Sequence, residues 1–207
     1  MTHRVFVLSP ASCGGERARL LTGPRAGSSL ARRLREPEGA PLGEVFTFLS
    51  GLYFRGKLAY ARAFAAAPPR TPGDGVLVIT ADAGLQPAGV PLTLAALQAA
   101  AAVDIDRRNP RYHVPLEASA RALAEAVGPA CEVVLLGSIA SDKYVPLLDA
   151  VLGPRLRFPV EFAGRGDMSR GGLLLRCVTE GRELTYVPVG GGPRHGPRPP
   201  RLARLGR

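Results

Sequence analysis

Polar and glycine residues follow the first apolar run of the sequence, and they are the first candidates for chemistry. Ser12, Cys13, Gly14 and Gly15 come shortly after the run Arg4–Leu8. Adjacent glycines let backbone N–H groups turn toward a ligand, and a helix that begins there favours an anion. The loop therefore predicts a cradle for a phosphate, ribose or base, with Cys13 as a candidate nucleophile. The alternative is a tight turn with a small buried thiol. A nucleophilic cysteine needs a lowered thiol pKa, which a sequence does not reveal.

A second polar group follows the apolar run at residues 132–137. Ser138, Ser141, Asp142 and Lys143 bring two hydroxyls, a carboxylate and an ammonium to the predicted start of a helix. We expect Lys143 and Asp142 to stabilise charge or transfer a proton, and the two serines to bind the ligand. The alternative for Ser141 or Asp142 is that its side chain only caps the helix.

Residues 164–172 form a third polar, glycine-rich segment. We expect Asp167 to be a further candidate for proton transfer, and Ser169 and Arg170 to contact an anion or a sugar. The spacing Gly164-x-Gly166-x-x-Ser169 is not a dinucleotide fingerprint, because the segment is predicted to precede a strand and not a helix.

Metal and disulfide chemistry find little support in the sequence. The three cysteines and three histidines are far apart, which excludes a zinc ribbon and a disulfide scaffold. Asp104 and Asp106 place two carboxylates on one side of an extended segment, as a metal site requires. No third ligand is evident, so the sequence predicts no metal site and no particular cofactor.

The elements that must position these loops form an alternating pattern. Residues 4–8, 75–80 and 132–137 are apolar almost throughout, which is typical of strands covered on both faces. Helical patterns occupy residues 54–67, 92–102, 115–127 and 141–152. The alternation predicts an α/β fold, a three-layer Rossmann-like sandwich with a mostly parallel sheet.

Ligands of such sheets bind at the carboxyl ends of the strands, so we expect the polar loops to face one cavity. After the alternating pattern, residues 155–161 predict another strand. Residues 173–178 and 184–189 then predict a C-terminal β-hairpin that turns near Gly181.

An aromatic segment spans the start of the first predicted helix. Tyr53, Phe54 and Tyr60 stand at a helical spacing that is typical of core residues. The alternative is that an aromatic ring beside Arg55 and Lys57 stacks on a nucleic-acid base.

Length and composition indicate one globular domain. The chain has 207 residues, of which 46% are apolar and 21% charged, and this excludes wholesale disorder. No apolar run approaches the ~20 residues that cross a bilayer. The N-terminus enters a strand without a signal-peptide pattern. We therefore expect a cytoplasmic protein with no membrane partner and a single domain over residues 1–190.

The net charge of +10 is unevenly distributed. Residues 191–207 contain five arginines and no acidic residue, so they carry half of the net charge. Their four prolines and four glycines predict a disordered tail. Such a tail binds phosphate backbones through salt-sensitive contacts, or it is simply solvated. The same two interpretations apply to the cluster Arg25, Arg32, Arg33 and Arg35.

Short motifs occur in a fixed order over roughly the first 150 residues: Ser12-Cys13-Gly14, then Leu52-Tyr53-Phe54 with Tyr60-Ala61, then Gly84-Leu85. This order resembles that of an uncharacterised family of small bacterial and phage α/β proteins. The chain departs from the family where Gly15-Glu16-Arg17 replaces a lysine and where Asp82-Ala83 replaces Lys-His, so histidine-dependent chemistry is not implied. The resemblance implies a nucleotide- or nucleic-acid-related setting.

These observations predict an enzyme that processes a nucleotide, nucleoside or nucleic acid, as a hydrolase or transferase, at the carboxyl ends of the strands. One alternative is a non-catalytic nucleotide- or nucleic-acid-binding module that uses the basic tail and the arginine cluster. Another is a sensing protein whose loops bind a ligand without chemistry. The oligomeric state stays open.

Overall fold

The computed structural model describes residues 2–192 and residues 196, 197 and 199. The strands in chain order are β1 (Arg4–Leu8), β2 (Ala40–Pro41), β3 (Val76–Ile79), β4 (Leu85–Pro87), β5 (Pro91–Leu92), β6 (Glu132–Leu136), β7 (Leu156–Pro159) and β8 (Tyr186–Pro188). The helices are α1 (Glu16–Thr22), α2 (Ser29–Arg33), α3 (Leu42–Ser50), α4 (Leu52–Phe64), α5 (Leu94–Ala101), α6 (Pro110–Val127), α7 (Val145–Leu152) and α8 (Asp167–Glu180). Short 3₁₀ helices cover Pro72–Gly75, Gly153–Arg155 and Val160–Phe162.

A mixed six-stranded sheet organises the molecule, with the strand order β4-β3-β1-β6-β7-β8. The four central strands are parallel, and β4 and β8 are antiparallel edges. Successive side chains of a strand point to opposite faces, and every residue of β3 is buried, so both faces of the sheet are covered. The prediction of an α/β fold with a mostly parallel sheet is confirmed.

Helices α4 and α8 cross at unusually close range. A Cβ atom added to Gly56 of α4 would come within 2.7 Å of the Gly171 carbonyl oxygen of α8, and one added to Gly171 would come within 2.8 Å of the Leu52 carbonyl oxygen. Only glycine permits backbones to approach this closely. The crossing fixes α4 beside β1, where the aromatic rings of Tyr60 and Phe6 meet edge to face at 5.8 Å.

The predicted C-terminal hairpin is wrong in its first strand. Residues 173–178 belong to α8, in which Leu173, Leu174 and Cys177 are buried on one helical stripe. Gly181, with φ of 62° in the left-handed region, ends this helix and does not turn a hairpin. Strand β8 pairs antiparallel with β7 instead. A short apolar run does not distinguish a strand from a buried helix, and here contact with α4 favours the helix.

The structure also changes the context of the third polar loop. The segment at residues 164–172 was predicted to precede a strand, but α8 begins within it at Asp167. The predicted basic tail, residues 191–207, lies outside the described residues except for residues 191, 192, 196, 197 and 199. In the described part of the chain, no helix has both the length and the apolar character of a membrane span.

Candidate functional site

A cavity of about 560 Å³ opens at the carboxyl ends of β1, β3 and β6. The loop after β1 supplies one wall, and Ala81 lies beyond the end of β3. The segment after α5 adds Asp104 and Ile105, and the turn before α7 adds Lys143 and Tyr144. Four separate parts of the chain thus meet at the edge of the sheet where ligands of parallel sheets bind.

Four of the predicted site residues line this cavity: Ser12, Cys13, Gly14 and Lys143. No backbone carbonyl among the described residues accepts a hydrogen bond from the N–H groups of residues 11–15, the stretch after Pro10. These N–H groups therefore have no internal backbone acceptor, and residues 11–14 line the cavity.

The other predicted residues of the β6–α7 turn lie beside the cavity. Asp142 lines an adjoining hollow of about 300 Å³ that shares Ile105 and Lys143 with the main cavity. Ser141 Oγ accepts a hydrogen bond from the Lys143 N–H at 3.4 Å, so it shapes the turn. Gly15 lies next to the lining residue Gly14 and precedes α1 as its N-cap.

Tyr144 connects this turn to the end of β1. Its hydroxyl accepts a hydrogen bond from the Ser138 N–H and donates one to the Ser138 carbonyl, both at 3.1 Å. A Cβ at Gly137 would come within 2.8 Å of Ser9 Cβ and 2.9 Å of the Tyr144 hydroxyl, so the ends of β1 and β6 meet closely there. Burial raises the pKa of the Tyr144 hydroxyl, which therefore stays protonated at neutral pH.

The predicted residues of the third loop do not line the cavity. Asp167 has a side chain that is 70% exposed and pairs with Arg170 at 3.6 Å. Arg170 also donates to the Phe162 carbonyl at 3.1 Å, and Ser169 accepts a hydrogen bond from Arg165 at 3.2 Å. The structure therefore places these three residues outside the cavity lining, and their predicted roles stay predictions.

The environment of Cys13 disfavours the predicted nucleophile. The thiol is buried and donates a hydrogen bond to the Ala11 carbonyl oxygen at 3.7 Å. Burial, together with the negative charge of Asp82, raises the pKa of Cys13 to about 11. Because the thiolate is the reactive form, this thiol is poorly nucleophilic at neutral pH.

Lys57 of α4 contacts the end of β1 beneath the cavity, and it is not among the site residues predicted from the sequence. Its Nζ donates hydrogen bonds to the Ser9 carbonyl and to Ser9 Oγ, both at 2.8 Å, and the residue is 1% exposed. The amine lies 4.6 Å from the ring centroid of Tyr53 and 4.7 Å from that of Phe54. Its only sequence signal is a lysine amid arginines on an apolar helix face.

Burial lowers the pKa of Lys57 to about 7, while Asp167 opposes the shift and Arg170 adds to it. A buried amine that is partly neutral at physiological pH can accept a proton from a neighbouring hydroxyl. Ser9, which is 8% exposed and lines the cavity, provides that hydroxyl.

The acidic residues near the cavity do not converge on a metal position. Asp104 lines the cavity, whereas Asp106 is held by Arg108 at 2.6 Å. In the part of the chain that the structure describes, no three histidine, cysteine or acidic side chains are grouped as a metal site requires.

Comparisons of the chain with protein-family models, curated proteins and solved structures found no match. The resemblance to small bacterial and phage α/β proteins stays a prediction.

Proposed function

We propose that this protein is a hydrolase or transferase that acts on a nucleotide-like small molecule in the cavity at the carboxyl ends of β1, β3 and β6. The observation that carries the proposal is that four chain segments meet around a cavity of about 560 Å³. Pockets for small molecules span about 300–1,000 Å³. A three-layer Rossmann-like sandwich and a cytoplasmic location are part of this proposal.

The lining groups suit the different parts of a nucleotide. The N–H groups of residues 11–15 and the Lys143 ammonium suit a phosphate, which accepts several hydrogen bonds at once. The Asp104 carboxylate accepts hydrogen bonds from sugar hydroxyls, and Val103 and Ile105 offer apolar contact to a base.

The non-catalytic nucleic-acid-binding alternative loses part of its support from the arginine cluster. Arg35 donates to the carbonyls of Leu21, Gly23 and Ala31, so its guanidinium holds the chain around α1 and α2. Arg33 pairs with Glu44 at 2.8 Å. Guanidinium groups that already have internal partners contribute less to a phosphate-binding surface.

A thermal-shift screen with nucleosides and nucleoside mono-, di- and triphosphates tests the proposal. We expect a phosphorylated compound to raise the melting temperature, because a ligand that binds only the folded state stabilises it. Lys143→Ala should weaken that binding about 10- to 100-fold, as expected for the loss of a charged hydrogen bond. Incubation of the bound compound followed by chromatography then measures turnover.

Arg62→Ala is the matched control, because Arg62 is an exposed cation on α4 outside the cavity lining. It should bind the compound as the wild type does. The proposal is wrong if no compound shifts the wild-type melting temperature, or if Lys143→Ala binds as tightly as the control. Binding without turnover would favour the sensing alternative.

A further inference from the structure

We propose that Ser9 and Lys57 form a nucleophile–base pair, in which Ser9 Oγ attacks a phosphorus atom of the ligand in the cavity and Lys57 Nζ accepts the serine proton. This inference rests on the proposed function for the identity of its substrate. It adds the reacting residues, neither of which belongs to a recognisable sequence motif.

Ser9 has the position of a nucleophile. It is the first residue after β1, it lines the cavity, and it lies where β1 and β6 approach each other at Gly137. After Pro10, residues 11–14 line the same cavity, and no backbone carbonyl among the described residues accepts a hydrogen bond from their N–H groups. Backbone N–H groups beside a nucleophile stabilise the negative charge that develops on the attacked group.

Lys57 has the position of a base that acts only through Ser9. Its Nζ lies 2.8 Å from Ser9 Oγ, within the distance required for direct proton transfer. Burial to 1% exposure separates the amine from the cavity, so the ligand does not contact it. A lysine is suited to this role because, unlike arginine, it loses its proton readily when it is buried.

The groups around the amine keep it available as a base. Tyr53 and Phe54 present their ring faces from α4, and Tyr144 lies beyond Ser9 on the β6–α7 turn. From α8, the Asp167 carboxylate favours the charged form of Lys57. Asp167 also pairs with Arg170, whose positive charge favours the neutral form of Lys57. Desolvation is the largest influence and favours the neutral amine.

Atoms and electrons balance with water, or an acceptor alcohol in a transferase, as the second reactant. As the bond between Ser9 Oγ and phosphorus forms, the serine proton moves to Lys57 Nζ. The phosphorus–oxygen bond to the leaving group breaks, and the leaving oxygen departs with the electron pair as an anion while Lys57 keeps the proton. Water or the alcohol then attacks the phosphoserine, and Lys57 returns the proton to Ser9 Oγ as the bond between Oγ and phosphorus breaks.

Labelling with an alkyl fluorophosphonate tests the pair independently of the natural ligand. The reaction forms a bond between Oγ and phosphorus and expels fluoride, so it requires only an activated serine. We expect one adduct on the full chain, located at Ser9 by peptide mass spectrometry. The labelling rate should rise with pH around a midpoint near 7, as Lys57 becomes neutral.

Four variants separate a chemical role from a structural one. Ser9→Ala should abolish the adduct, and Lys57→Met should lower the labelling rate about 100-fold or more and remove the pH midpoint. Ser50→Ala and Arg55→Met, which change exposed residues of α3 and α4, should label like the wild type. Circular dichroism verifies that each variant is folded.

Fluorophosphonate labelling of the wild-type protein tests the proposal even if Lys57→Met does not fold. No adduct, an adduct at another residue, or a rate that is flat between pH 5 and pH 9 would overturn the proposal. Nucleotide binding without labelling would reject the Ser9–Lys57 pair and leave the proposed function standing. Labelling of Ser9 without nucleotide binding would support the pair and reject the nucleotide as its substrate.

Discussion

At the scale of single residues, Lys57 is the unusual feature of this protein. Its amine is buried, and its hydrogen-bonding partners are the carbonyl and hydroxyl of Ser9. Burying an unpaired charge is costly, and a buried lysine avoids that cost by losing its proton. The residue therefore links the stability of the fold to pH.

Stability should rise with pH between pH 7 and pH 9. The pKa of Lys57 is about 7 in the folded state and 10.5 in the reference state, so the unfolded chain binds more protons throughout this interval. The free energy of unfolding therefore increases with pH, by at most about 1.4 kcal/mol per pH unit. Below pH 7 Lys57 is protonated in both the folded and the unfolded state, so the stability gained from its neutral form is lost. Urea unfolding at a series of pH values measures the slope.

Lys57→Met should remove this slope, and Arg55→Met should retain it. The interval ends near pH 9 because burial raises the pKa of Cys13 from 9.0 to about 11, which opposes the Lys57 contribution above that pH. Equal slopes in wild type and Lys57→Met would contradict the assigned titration.

At the scale of elements, the crossing of α4 and α8 positions the site. Gly56 precedes Lys57 directly, and its contact with Gly171 brings the two helix backbones together. The side chain of Lys57 then lies against the end of β1, while Arg170 and Asp167 at the start of α8 act on its charge. The local environment of the amine thus depends on one helix–helix contact.

Gly56→Ala should destabilise the protein by about 1–3 kcal/mol, because an added methyl group would clash with the backbone of α8. The clash outweighs the gain in helix propensity, which is about 1 kcal/mol. The free energy of unfolding in urea measures the loss. Gly89→Ala is the control, since a Cβ at Gly89 meets no atom within 4 Å, and its stability should change little. A neutral Gly56→Ala would show that the helices can separate at no cost.

At the scale of the whole molecule, α4 also connects the centre of the sheet to its C-terminal edge. The Tyr60 hydroxyl accepts a hydrogen bond from the Leu184 N–H at 2.7 Å and lies 2.6 Å from the Tyr186 hydroxyl. On β1, Arg4 pairs with Glu132 of β6 at 2.7 Å and with Glu183 just before β8. These contacts join residues that are more than 100 positions apart in the chain.

Tyr60→Phe should destabilise the protein by about 1–3 kcal/mol, because it leaves the buried Leu184 N–H without its acceptor. Thermal unfolding with circular dichroism measures the change. Tyr112→Phe is the matched control: the Tyr112 hydroxyl is buried and has no hydrogen-bonding partner among the described residues. Its removal should be neutral or slightly stabilising, so an equal loss in both variants would contradict the assignment.

Much of the architecture follows from the order of residues alone. The runs at residues 4–8, 75–80 and 132–137 are apolar on both faces, and they correspond to the parallel strands β1, β3 and β6. Because polar loops follow the ends of such strands, the positions of Ser12 and Lys143 at one edge of the sheet could also be predicted.

Two features were decided only by the tertiary structure. Residues 173–178 are apolar enough for either a strand or a buried helix, and in the folded chain they belong to α8, which packs against α4. The chemistry of Lys57 depends on Ser9, Asp167 and Arg170, which lie far from it in sequence. Periodicity records which face of an element is buried, but the pKa of a side chain depends on the atoms that exclude water from it. Those atoms come together only when the chain has folded.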